Sequence, residues 1–79
     1  MNKDNLITII KDALETEDID FNSSMENTDG WDSLGHLSIL SAIDQNLDGQ
    51  ASKLDELASA TSVENIISIL KKIIYLIDT

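Results

Sequence analysis

The sequence contains neither cysteine nor proline, and it has only one Trp, one Tyr and one Phe. The absence of cysteine excludes disulfides and thiolate zinc sites. Because aromatic residues are so few, a hydrophobic core must consist mainly of Ile and Leu. No apolar run is long enough to span a membrane, and the segment that starts at Met1 lacks the pattern of a signal peptide. We therefore expect a cytoplasmic protein that does not insert into membranes.

Basic residues are also few, since five Lys and Arg stand against fifteen Asp and Glu and the formal net charge is -10. Such a surface repels nucleic acid and anionic membranes, so we expect neither as a partner. It attracts proteins with basic patches. The same charge also fits a small protein that is simply kept soluble by it.

The 79 residues are enough for one domain with one core, and we treat residues 1–79 as that single domain. A chain of this length has no room for an enclosed catalytic cleft. The size therefore favours a binding or carrier module over an enzyme.

Apolar residues follow helical spacing along most of the chain, and no alternating stretch is long enough to indicate a sheet. The spacing predicts helices over residues 2–15, from Asp32 to about 47, briefly over 53–58, and from a capping box at 61–64 to about 77. The expected fold is all-α, a small antiparallel four-helix bundle of three longer helices and one short third helix. Ile69, Ile74 and Leu76 widen the apolar side of the last helix, which indicates either further core contacts or a dimer contact; we expect a monomer.

A long first loop over residues 17–31 is predicted to be pinned to the core by Ile19, Phe21, Met25 and Trp31. For the second helix, the buried side is predicted to consist of Leu34, Leu37, Leu40, Ile43 and Leu47. A turn follows, in which Gly49 can adopt a left-handed conformation.

Ser33 directly follows the predicted N-cap Asp32. A serine just inside a helix start projects its hydroxyl toward solvent, and the unpaired N–H groups and helix dipole there favour an attached phosphate. The structural alternative is that Asp32 or Ser33 serves only as a helix cap.

The string from Gly30 to Leu37, Gly-Trp-Asp-Ser-Leu-Gly-His-Leu, resembles the 4'-phosphopantetheine attachment site of acyl and peptidyl carrier proteins. The resemblance extends over the whole chain, through helix order, long first loop, short third helix and acidic balance. It implies that a phosphopantetheinyl transferase attaches 4'-phosphopantetheine from coenzyme A to Ser33, and that the thiol of this arm holds acyl groups as thioesters. Such a carrier catalyses nothing itself. With Trp31, Gly35 and His36, this string looks more like that of stand-alone carriers of specialised pathways than like that of carriers of fatty-acid synthesis.

By the same resemblance, Asp32 assists the transferase. Partner enzymes are then an acyl-loading ligase and an acyltransferase or synthase with basic patches. The residues expected to contact partners are Leu34, His36, Ile39, Ala42 and Asp44. For Ile39 a position in the core stays open.

The residues also offer two other functions. Ser33 and His36 are candidates for a nucleophile and its base, but Trp31 stands where the hydrolase motif Gly-x-Ser-x-Gly needs its first glycine. The second alternative is calcium binding, because residues 44–49 match the opening of an EF-hand loop. Its candidate ligands are Asp44, Asn46, Asp48 and Asp55. Asp55 is shorter than the Glu that is usual at the twelfth position, and Leu47 continues the predicted core side of the second helix.

Overall fold

The computed structural model describes residues 2–47, 49 and 55–72. These residues form helix α1 (Lys3–Leu14), helix α2 (Ser33–Asn46), a 3-10 helix (Asp55–Ser59) and helix α3 (Val63–Lys72). Over these ranges there is no strand, and one isolated antiparallel bridge joins Ser24 to Ser62. The all-α prediction is therefore confirmed.

The four-helix prediction is not confirmed, because the described residues contain three α-helices. The short third helix predicted over residues 53–58 is described from Asp55 onward, and there it is a 3-10 helix. The predicted end of the last helix near residue 77, with Ile74 and Leu76, lies outside the described residues. None of the described helices is both long and apolar enough to cross a membrane.

Helix α1 begins and ends where its sequence predicts. The side chain of Asn2 accepts a hydrogen bond from the Asn5 backbone N–H at 2.8 Å, and the Asn5 side chain accepts one from the Asn2 backbone N–H at 3.3 Å. This reciprocal pair satisfies two N–H groups that the helix leaves free. Glu15 ends the helix in the left-handed conformation, with φ 55°. The helix buries Leu6 and Ile10 and packs against α2.

The long loop between α1 and α2 is attached to the start of α3 by backbone hydrogen bonds. The N–H of Met25 donates to the Thr61 carbonyl at 2.9 Å, and the N–H of Val63 donates to the Ser23 carbonyl at 3.0 Å. Ser62, rather than the predicted Thr61, caps α3, since its Oγ accepts the Asn65 N–H at 3.1 Å. The N-cap of α3 therefore lies one residue later than the predicted capping box places it.

Three of the four predicted loop anchors contact the core. Ile19 and Trp31 are buried and Met25 is partly buried against the core, whereas Phe21 is 42% exposed and does not serve as an anchor. The buried apolar residues are Leu6, Ile10, Ile19, Trp31, Ile39, Ile43, Leu57, Ala60, Val63, Ile66, Ile67 and Leu70. As the lack of aromatics predicts, Ile and Leu make up most of this core.

The orientation of α2 differs from the prediction. Leu34 and Leu37, expected in the core, are 75% and 61% exposed, while the buried residues of the helix are His36, Ile39 and Ile43. Of the other predicted core positions, Leu40 and Leu47 are partly buried. Helix α2 is apolar on two sides, so helical spacing alone is compatible with both orientations.

Candidate functional site

Asp32 caps α2, as the sequence predicts. Its Oδ1 accepts a hydrogen bond from the Gly35 backbone N–H at 2.8 Å, and its backbone carbonyl accepts one from the His36 N–H at 2.8 Å. A carboxylate in this position satisfies a free N–H group and complements the positive end of the helix. Capping is therefore performed by Asp32, and Ser33 is the first residue of the helix.

Ser33 is exposed at this helix start. Within the described part of the chain its hydroxyl has no hydrogen-bond partner. The backbone N–H groups of Ser33 and Leu34 belong to the first turn, where no carbonyl of the same helix can reach them. An exposed hydroxyl and two N–H groups without a partner inside the helix therefore lie close together at this helix start.

Two glycines fix the loop against the first turn of α2. Gly30 has φ +85°, in the left-handed region that favours glycine. A Cβ atom at Gly35 would overlap the carbonyl oxygen of Gly30 and lie 2.9 Å from Cδ2 of Leu14. Position 35 therefore requires glycine for a close approach between helix and loop. The helical pattern alone does not predict this role, although a glycine inside a predicted helix is itself a signal of such an approach.

His36 lies in the core and bonds to two other parts of the chain. The Nε1 of Trp31 donates to His36 Nδ1 at 3.1 Å, and His36 Nε2 lies 2.9 Å from the Leu57 carbonyl oxygen. The two rings are nearly parallel, with centroids 6.2 Å apart and planes inclined by 18°. Since an indole N–H only donates, Nδ1 is the acceptor and Nε2 carries the proton that it donates to Leu57. This bonding pattern selects the neutral Nε2–H tautomer.

The predicted role of His36 as an exposed partner contact is wrong, because its side chain is 6% exposed. The pairing of His36 with Ser33 as base and nucleophile also finds no support in the geometry. Both ring nitrogens are occupied by Trp31 and Leu57. Ser33 lies on the exposed side of the same helix.

Ile39 is also excluded from the predicted partner surface, because its side chain is fully buried against the core. The reason is the orientation of α2, which turns the side of His36 and Ile39 inward.

Two other predicted contact residues of α2 lie toward solvent: Leu34 is exposed and Ala42 is half-buried. A shallow groove on the outer side of α2 is lined by Leu34, Leu37, Ser38, Ser41, Ala42 and Gln45. We call these six residues the outer face; none of them is charged.

The calcium-ligand candidates that are described lie on two separate elements. Asp44 and Asn46 lie in the last turn of α2, where Asn46 Nδ2 donates to the Ala42 carbonyl at 2.8 Å. Asp55 is the first residue of the 3-10 helix, and Asp48 lies outside the described residues. Over the described ranges no three His, Cys, Asp or Glu side chains are grouped closely enough to hold a metal ion.

In the turn predicted after α2, Gly49 has the expected left-handed conformation, with φ +83°.

A scan against protein-family models and searches among curated proteins and solved structures gave no match to this chain. We therefore infer function from the chain's own residues, above all from those around Ser33.

Proposed function

We propose that this chain is an acyl carrier protein in which Ser33 bears 4'-phosphopantetheine. The observation that carries the proposal is the division of roles at the start of α2. Asp32 makes the capping hydrogen bond to Gly35. The neighbouring Ser33 is exposed, and within the described residues its hydroxyl makes no hydrogen bond. A serine that capped the helix would accept a hydrogen bond from a backbone N–H of the first turn. Asp32 makes that bond here, so capping does not explain the presence of the Ser33 hydroxyl.

The surroundings of Ser33 fit a phosphodiester. The first turn of α2 contains no acidic residue. Free N–H groups and the positive end of the helix dipole stabilise a negative charge at this position. The Asp32 carboxylate is directed to the Gly35 N–H, so it is already partly compensated by the helix start. A phosphate on Ser33 therefore lies next to hydrogen-bond donors.

In this role Ser33 supplies one oxygen atom. Its Oγ forms a bond to the phosphorus next to the pantetheine part of coenzyme A, its proton leaves, and the pyrophosphate bond breaks with departure of the nucleotide. The attached group supplies a terminal thiol that holds an acyl group as a thioester. The chain itself then presents the cargo and catalyses no step.

The outer face of α2 begins next to Ser33 and is the surface that we propose for partner enzymes. Leu34 and Leu37 give it an exposed apolar end, and an apolar side chain buried by a partner stabilises a complex. We propose that the carboxylates of Asp32 and Asp44 also contact basic patches of the partners. The proposed partners are a phosphopantetheinyl transferase, an acyl-loading ligase and an acyltransferase or synthase of a specialised pathway, and this role implies a cytoplasmic protein.

Mass spectrometry tests the proposal. The purified chain is incubated with coenzyme A, magnesium ions and a broad-specificity phosphopantetheinyl transferase. We expect one phosphopantetheinyl group per chain, located on the peptide that contains Ser33. The variant Ser33→Ala should remain unmodified, whereas Ser68→Ala, which changes an exposed serine on α3 and outside the outer face, should be modified like the wild type. No addition to the wild type, or equal addition to Ser33→Ala, would refute the proposal.

A further inference from the structure

We infer that Trp31 and His36 are positioning residues for Ser33. They tie the turn that carries the serine to the 3-10 helix, and so set the orientation in which the hydroxyl meets the transferase. This inference rests on the proposed function of Ser33. It assigns to His36 a task different from the partner contact that the sequence predicts.

Three parts of the chain meet at the His36 ring. Trp31 ends the long loop, His36 lies one turn into α2, and Leu57 belongs to the 3-10 helix. Asp32 and Ser33 lie between Trp31 and His36 in the chain. The Trp31 indole and the His36 ring are 2% and 6% exposed, so water does not readily replace either hydrogen bond. The indole therefore holds the chain before Ser33 to the helix that follows it.

The backbone before Ser33 is restrained from other directions as well. The N–H of Trp31 donates to the Thr28 carbonyl at 3.2 Å. The Gly30 carbonyl lies against Gly35, where a side chain has no room. Besides the Asp32 side chain that caps Gly35, the Trp31–His36 bond is a side-chain link from this turn, and it leads into the core. The link continues to Leu57 through the second ring nitrogen of His36. A displacement of the 3-10 helix is therefore transmitted to the turn that carries Ser33.

Loss of this link leaves a buried donor or acceptor without a partner. An unpaired buried group of this kind shifts the equilibrium between the turn with its hydrogen bonds intact and a locally displaced turn by on the order of tenfold. In Trp31→Phe the Nδ1 acceptor of His36 loses its donor. In His36→Phe both the indole N–H and the Leu57 carbonyl lose their partner. A side-chain amide has an acceptor oxygen and an NH2 group that donates, so His36→Gln can retain both bonds.

The test combines NMR with transferase kinetics. In the wild type, the ¹⁵N shifts of His36 should show a protonated Nε2 and an unprotonated Nδ1. We expect amide hydrogen exchange at Gly35, whose N–H is bonded to Asp32 in the turn, to become about tenfold faster in Trp31→Phe and His36→Phe. The KM for the carrier in the transferase reaction should rise several-fold with a smaller change in kcat, because the transferase must reorder the turn on binding. His36→Gln should restore both quantities toward the wild-type values.

Ile39→Val is the matched control. It removes a methylene from a fully buried residue of α2 that has no part in the link, and it lowers global stability by a modest amount. The inference is overturned if Ile39→Val raises the KM as much as Trp31→Phe does, or if exchange accelerates equally at all amides. It is also overturned if His36 has the other tautomer.

The two proposals fail in different ways. If the wild type accepts no phosphopantetheine, the proposed function fails, and positioning of Ser33 for the transferase fails with it, even if amide exchange shows the link. If the wild type is loaded but Trp31→Phe and His36→Phe leave both KM and exchange unchanged, the positioning role fails and the carrier function stands.

Discussion

Gly35 lies inside the first turn of α2, where helix propensity alone disfavours glycine by about 1 kcal/mol relative to alanine. The tertiary contact reverses this preference. The Gly30 carbonyl and the Leu14 side chain occupy the space that a Cβ would need. One hydrogen atom at position 35 thus allows the loop, α1 and α2 to meet next to Ser33.

Gly35→Ala should therefore destabilise the fold. We expect the free energy of unfolding to fall by about 1–3 kcal/mol, the usual cost of forcing an extra carbon into a packed site. Urea denaturation followed by circular dichroism measures it. Ser41→Ala, an exposed change on the same helix, serves as the control and should differ little from the wild type. A Gly35→Ala chain that is more stable than the wild type would contradict the close approach.

His36 shows a second effect at the scale of single residues. A polar ring enters the core because both of its nitrogens find partners there, Trp31 and Leu57. A buried polar group is tolerated when its hydrogen bonds are made. From the sequence alone, the same histidine looks like a surface residue on a helix.

At the scale of elements, α2 begins as its sequence predicts but faces the core with a different side. Asp32 defines the start through local hydrogen bonds, which depend on residues three positions away. The buried side is set instead by contacts with distant segments. As a result, the predicted cap is confirmed and the predicted core side of Leu34 and Leu37 is wrong.

The two roles assigned to Asp32 can be separated by substitution. Asparagine caps helices about as well as aspartate, whereas alanine costs about 1 kcal/mol. Asp32→Asn should therefore unfold like the wild type, and Asp32→Ala should be less stable by about that amount in urea denaturation. If the carboxylate assists the transferase, Asp32→Asn should still lower kcat/KM for phosphopantetheine transfer roughly tenfold or more, as loss of a hydrogen bond to a charged group does.

Glu26→Gln is the matched control for charge, since Glu26 is another exposed acid outside α2. It should leave the transfer rate close to that of the wild type. Equal rates for Asp32→Asn and the wild type would show that Asp32 serves the helix alone.

At the scale of the whole molecule, the surplus of acidic residues is distributed unevenly. The chain has a net charge of -10, yet α2 contains a single acidic residue, Asp44, and its outer face contains none. Negative charge elsewhere opposes folding through mutual repulsion. The outer face is therefore suited to apolar contact on an otherwise acidic protein.

Added salt should stabilise the fold because it screens this repulsion, over about 10 Å at 0.1 M ionic strength. We expect the melting temperature near pH 7 to rise by several degrees between low and high sodium chloride concentration, as a gain of about 1 kcal/mol would cause in a domain of this size. Thermal denaturation followed by circular dichroism measures it. The double variant Glu17→Gln and Glu26→Gln, with two exposed acids removed, should respond less. A melting temperature that falls with salt would indicate that attractive ion pairs outweigh repulsion.

The sequence by itself determined the all-α class, the ends of α1, the cap of α2 and the exposed serine after it, because each depends on spacing and hydrogen bonds within a few residues. Tertiary structure decided which side of α2 is buried. Two apolar sides satisfy the helical period equally well, and the choice is made by Trp31, by the close approach at Gly35, and by Leu57, which lies 21 positions from His36. Only the folded chain brings these groups together, so only there do His36 and Ile39 become core residues and Leu34 and Leu37 surface residues.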